Sequence, residues 1–236
     1  MGAVFRKELR AFFISPVGFA VLAMTFGFAG YFFYIYNLGY GMVSLTYVFS
    51  NLYLILLLLV LPVMTMRLLS DERRNRTDQA LLTAPVSLTG IVLGKFLAAM
   101  LVYAVSLSIV FVFGLIIAFQ VAPDWMTIFG NYLGLLMLGG LIVAVGMLIS
   151  SFTESQFIAA IGTFAASFGL LMIDQVKNLF SNSSLIASVV NFLSVSQRYN
   201  SFTVGLIEYD NVFFFLSMQA LFLFFTVRVL DRRRWA

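Results

Sequence analysis

The sequence predicts an all-α integral membrane protein. Six transmembrane helices are expected, with an N-terminal amphipathic helix at the interface, a short cytoplasmic helix between spans two and three, and short outer re-entrant helices between spans five and six. Three observations carry this reading. Hydrophobic residues make up 62% of the 236 and charged ones only 10%, where a soluble domain carries about 25% charged residues. Apolar runs of about twenty residues, the length that crosses a hydrocarbon core, recur along the chain. Twelve of the fourteen Lys and Arg residues fall in three clusters that this arrangement puts on one side.

Residues 1–14 set Phe5, Leu9, Phe12 and Phe13 on one side of a helix and Arg6, Lys7 and Arg10 on the other. That is the pattern of a helix lying in the interface plane. No small-residue cleavage site follows, so the segment is expected to stay in the mature protein. Pro16 ends it and suits the first turn of the next helix. The first span is 17–36, with Tyr31, Tyr34 and Tyr36 placed for an aromatic belt; the second is 47–66.

Residues 67–95 are the most charged stretch, with Arg67, Arg73, Arg74, Arg76 and Lys95 against Asp71, Glu72 and Asp78. Inside it, Thr77 can cap and Pro85 can stop a short helix whose Leu81, Leu82 and Ala84 form one apolar face. So short a helix is marginal alone and needs something to lean on. Lys95 reads as an interfacial anchor snorkelling to headgroups.

The third span follows at 96–119 and the fourth at 128–150. The fourth carries Gly130, Gly134, Gly139, Gly140 and Gly146, a composition expected to admit a neighbouring backbone. After a hairpin at Glu154, the fifth span, 156–173, repeats the theme with Gly162, Ala165, Ala166 and Gly169. Residues 174–211 form the outer region, where 184–195 is apolar but too short to span. The sixth span, 212–229, ends in a basic tail. The charge clusters put both termini and residues 67–95 in the cytoplasm.

Composition and placement exclude much chemistry. With no His and no Cys, the commonest general base, metal ligand and thiolate nucleophile are missing, and no metal site is expected. No charge falls in the middle of a span, which argues against proton-coupled transport, pumping or voltage sensing. Gly90 to Phe96 imitates a phosphate loop, but its glycine spacing is one short and Phe96 stands where Ser or Thr would hold magnesium. No ATP site is expected, nor any nucleic-acid binding.

Asp71-Glu72-Arg73-Arg74, Thr77, Leu81-Leu82-Thr83-Ala84-Pro85-Val86-Ser87 and Gly94-Lys95 resemble the cytoplasmic loop of ABC-2 type permeases, the membrane subunits of a class of ABC transporters. The likeness extends to Arg6-Lys7-Glu8-Leu9 and to the run Asn200 to Ile207 before the last span. It is greatest to the small permeases of the gliding-motility and copper-reductase-maturation type. Two positions depart from the pattern: Arg76 stands where glycine is common, and Gln79 where an acid is common.

The resemblance implies the permease subunit of an ATP-driven exporter in a bacterial inner (plasma) membrane, with both termini cytoplasmic. It is not an enzyme itself: two separate cytoplasmic ATPase subunits bind ATP and Mg, and this chain binds no cofactor. The short helix is then a coupling helix. Its docking face is Thr77, Leu81, Leu82, Thr83 and Pro85, with Glu72 and Arg73 as polar steering contacts. A second copy or a paralogue is implied, packing through Gly162, Ala165, Ala166 and Gly169. Phe26, Tyr34 and Phe164 are candidates for lining the pathway. The rival readings are a non-transporting membrane anchor of an ATPase-driven motility or assembly complex, an ion-coupled secondary transporter, and a passive scaffold.

Overall fold

Among the described residues of the computed structural model, six helices are long and apolar enough to cross a membrane: Pro16–Gly39, Thr46–Arg74, Leu88–Ala118, Trp125–Phe152, Gln156–Ile173 and Tyr209–Arg234. The structure describes residues 1–77, 87–179 and 194–234. The predicted outer segment 184–195 and most of the predicted coupling helix therefore lie outside the described residues.

Helix α1 (Gly2–Ile14) buries Val4 and Phe12 and exposes Arg6, Lys7 and Arg10. Its end is an elbow. Ser15 is extended, its hydroxyl accepts the Gly18 amide, and Pro16 opens α2 (Pro16–Phe33). The turn is so tight that a Cβ on Gly18 would lie 1.9 Å from the Phe12 carbonyl oxygen. A π-helical turn, Tyr34–Gly39, extends α2.

The second span is α3 (Thr46–Ile55), a π-helical turn at Leu56–Val60, and α4 (Leu61–Thr65). Pro62 explains the widening: it has no N–H to give and its ring crowds the carbonyl four residues back, so the ladder opens just before it. The short helix α5 (Ser70–Arg74) follows.

The next helix starts earlier than the sequence suggested. Ser87, whose hydroxyl accepts the Gly90 amide, caps α6 (Leu88–Leu107), and Ser108 separates it from α7 (Ile109–Ala118). Helix α8 (Trp125–Phe152) is capped by Asp124, whose carboxylate accepts the Met126 and Thr127 amides. The Thr127 hydroxyl donates to it at 2.6 Å. That bond, with the backbone donors, holds the Asp124 carboxyl below the usual carboxylate range, so the cap is charged at neutral pH and is lost only on acidification. Helices α9 (Gln156–Leu179), α10 (Val195–Thr203) and α11 (Tyr209–Arg234) complete the described chain.

The core is built around α8, where 72% of the most apolar window is buried against 17% in α9. Its glycines do what the sequence suggested at one place and something different at four others. At Gly130 the neighbour is backbone: a Cβ would meet the Phe202 carbonyl at 2.7 Å. Gly134, Gly139, Gly140 and Gly146 are instead sockets for the side chains of Phe202, Tyr103, Gln219 and Thr65. The seated polar groups keep partners. The Tyr103 hydroxyl donates to the Leu135 carbonyl at 3.1 Å, the Gln219 amide to the Met137 carbonyl at 2.8 Å, and Thr65 to its own helix at Leu61.

At the end of the bundle away from α1, Tyr199 of α10 stacks on Tyr53 at 4.8 Å and donates to Asn131. Burial pushes its phenol pKa up, so it remains a donor.

Candidate functional site

Near the start of the charged stretch, Leu68 and Leu69 are buried and hold α5 against the bundle. A five-residue helix has more free amides than internal bonds. Here one hydroxyl from the end of α8 satisfies two of them: Ser150 Oγ accepts the Leu69 amide at 3.1 Å and the Ser70 amide at 2.9 Å. Ser70 Oγ donates to the Met66 carbonyl. Asp71 and Glu72 in the first turn and Arg73 and Arg74 in the last complement the helix dipole.

Each charged side chain of α5 except Arg74 then reaches a different part of the fold. Asp71 takes Arg67 Nε at 2.6 Å with one oxygen and the Gln156 amide of α9 with the other. Arg73 reaches the Ser151 carbonyl and, at 3.2 Å, Glu154 in the α8–α9 hairpin. Glu72 meets Lys95 of α6 at 3.0 Å and Lys7 of α1 at 3.4 Å. Lys95 also holds Glu8 of α1 at 3.0 Å.

Lys95 corrects the reading made from sequence. It does not snorkel; its side chain is 2% exposed, clamped between the two carboxylates. The ammonium lies in the second turn of α6, where Gly94 brings α1 close: a Cβ there would sit 3.2 Å from Val4. Burying that charge is tolerable because two opposite charges and their hydrogen bonds accompany it. Beside this cluster lies a cavity of about 170 Å³ bordered by α1, the start of α2 and α5.

The exit from α5 is equally defined. The Thr77 amide donates to the Glu72 carbonyl at 2.9 Å and the Arg76 amide to the Arg73 carbonyl at 3.1 Å. These are the paired bonds of a Schellman motif, whose left-handed position usually belongs to glycine. Arg76 fills it with φ +56°. The departure visible in the sequence is therefore a side chain in a backbone conformation that glycine adopts without strain. Thr77 spends its hydroxyl on Glu72 as well, at 3.3 Å. The chain leaves the described region there and returns at Ser87, the cap of α6.

Of the predicted docking residues, Thr77 is exposed at this exit, while Leu81, Leu82, Thr83 and Pro85 lie outside the described residues. Glu72 and Arg73, expected as steering contacts, are held in ion pairs within the chain. The small residues of α9 divide: Gly162 packs on Ile149 and Ala166 on the core, whereas Ala165 and Gly169 face outward. Phe26, Tyr34 and Phe164 are all exposed on the outside of the chain. Sequence reasoning missed Glu8, Ser150 and Gln156. The available signals were weak: one acid in a basic helix, and polar residues at the ends of two apolar runs.

The arrangement is a polar hub that ties the root of residues 78–86 to α1, α6, α8 and α9. A family model described as an ABC-2 family transporter protein matches residues 5–171. The chain belongs to the ABC-2 family. No individually curated protein matches it. The matched stretch runs from α1 into α9 and contains the hub, while α10 and α11 lie beyond it. As an ABC-2 protein it is a multi-pass membrane subunit of an ABC transporter, a class that works in pairs and with ABC ATPase partners.

Proposed function

We propose that this ABC-2 protein is the permease half of an ATP-driven exporter and that residues 77–86 dock into a separate cytoplasmic ATPase. The observation that supports this reading is the anchoring of α5. A segment that only linked two spans would need no bonds to four other elements, whereas one that receives a push must be fixed to what it pushes. Thr77, Leu81, Leu82, Thr83 and Pro85 form the docking face. Glu72 and Arg73 are bolts at its root. Hydrolysis, with ATP and Mg, belongs to two ATPase subunits. The clustering of basic residues puts the hub, both termini and the docking segment in the cytoplasm.

The same logic assigns a second copy or a paralogue to the outward face of α9, with Ala165 and Gly169, and keeps Phe26, Tyr34 and Phe164 as pathway candidates between subunits. A membrane anchor that uses the ATPase stroke mechanically would share the hub. The two readings differ in whether cargo stimulates the ATPase.

The test is co-purification in mild detergent, comparing wild type with Leu81→Asp plus Leu82→Asp. Recovery of an ABC ATPase with the wild type and its loss from a still-folded double variant is the expected result. Full retention of the ATPase by the variant would overturn the docking assignment.

A further inference from the structure

The outer side of α1 forms a groove at the edge of the hub. About 850 Å³ of space lies between α1 and the α4–α5 link, lined by Arg6, Lys7, Arg10 and Arg67 with Phe13 and Ile14 at its rim. Its charge is unbalanced. The neighbouring carboxylates are already committed: Glu8 to Lys95, Asp71 to Arg67 and Gln156, and Glu72 to Lys95 and Lys7. Arg6 and Arg10 are exposed and have no carboxylate partner among the described residues. Phe13 and Ile14 are exposed apolar side chains, 41% and 73% accessible, beside the two arginines.

A free inorganic anion would satisfy the guanidinium groups and leave the apolar rim bare. A protein helix would need acids placed to meet two arginines on the same turn as an apolar wedge. An anionic phospholipid has both parts in the right order, a phosphate head and acyl chains that continue along the apolar spans. We propose that this groove is a binding site for one anionic phospholipid, its phosphate between Arg6, Arg10 and Arg67 and its chains over Phe13 and Ile14. Arginine suits the task because its planar fork gives paired donors to phosphate oxygens.

The site has a built-in connection to the hub. Arg67 is shared between the groove and Asp71, at 2.6 Å, and Lys7 lines the groove while contacting Glu72. An occupied groove therefore draws on two of the cations that hold α5 in place. The proposal rests on membrane insertion alone and is independent of any ATPase.

The test is native mass spectrometry of the detergent-purified protein titrated with phosphatidylglycerol or with phosphatidylcholine of the same chains. Wild type is compared with Arg6→Gln plus Arg10→Gln. The double variant should bind its first phosphatidylglycerol on the order of thirtyfold more weakly, the weight of two basic residues near a lipid surface. Its phosphatidylcholine binding should change less than about twofold on the same reasoning. Neither arginine makes an ion pair among the described residues, so the variant should elute and melt as the wild type does. Equal phosphatidylglycerol binding by both proteins would overturn the proposal. A second readout needs no variant: bound phosphatidylglycerol on the wild type should resist inorganic phosphate and phosphatidylcholine. Displacement by inorganic phosphate would mean a soluble-anion site, and displacement by phosphatidylcholine a nonselective lipid groove; either would overturn it.

Discussion

Replacing Lys95 by Met keeps an unbranched apolar stem in α6 and removes the charged head, leaving Glu8 and Glu72 to face each other. Both carboxylates lie 3.0 Å from the ammonium and are only 12% exposed. At an effective dielectric of about 20, each such pair carries roughly 5 kcal/mol of Coulomb attraction, much of it offset by desolvation. Removing one partner of a buried pair leaves the offset uncancelled and costs about 3–5 kcal/mol. Lys7 and the adjoining cavity give the freed carboxylates some relief here, which places Lys95→Met near the lower end, about 3 kcal/mol. For a chain of this size that is a fall of roughly 6–12 °C in Tm. The assay is thermal unfolding in one detergent or in nanodiscs, read as loss of the monodisperse peak. Adding Glu8→Gln and Glu72→Gln should restore more than half of the loss, because the carboxamides need no counter-charge. A Lys95→Met protein that melts within about 2 °C of wild type would refute the reasoning, and so would a triple variant less stable than the single one.

Three further outcomes follow from the packing. Gly139→Ala puts a Cβ 2.1 Å from a ring carbon of Tyr103, which is fully buried. It should cost about 1–3 kcal/mol by thermal unfolding, with Tyr103→Leu recovering part of it. Arg76→Gly relieves a left-handed side chain at the end of α5 and should slow hydrogen exchange at the Thr77 amide severalfold; faster exchange would count against the strain. Gly169→Leu meets open space in the chain, whereas Gly162→Leu strikes Ile149, 2.7 Å from the Cβ position. The first should leave the subunit folded while lowering the cross-linked dimer fraction, and the second should destabilise the subunit itself. An unchanged dimer fraction with Gly169→Leu would remove α9 from the subunit contact.

The six spans were legible because length and hydropathy are local properties, and α1 because its basic and apolar faces alternate at helical spacing. The hub was not. Lys95 finds Glu8 across 87 positions of sequence, and no periodicity reports such a pairing. Read alone, a lysine at the edge of an apolar run looks like an anchor. The start of α6 at Leu88 was hidden for a local reason: Gly90, Gly94 and Lys95 weaken the apolar signal. The widened turn before Pro62 in the second span was not part of the sequence reading, because its form depends on how the ladder relaxes around the proline. The glycines of α8 announced close packing, but the expected neighbouring backbone arrives only at Gly130; at the other four a side chain fills the space, a choice that depends on the partner helix rather than on α8 itself.

Those sockets also limit how the chain can change shape. Tyr103, Gln219 and Thr65 enter α8 from three different helices, like keys cut into one shaft. A turn of α8 about its own axis would drive a ring, an amide or a hydroxyl into main chain, and close-packed interiors do not yield continuously to such pressure. Helices α4, α6, α8 and α11 are thus indexed to one another and travel as a block. Slippage is left to the periphery, to α9 with its thin grip on the core and to α2 beyond the Ser15 elbow.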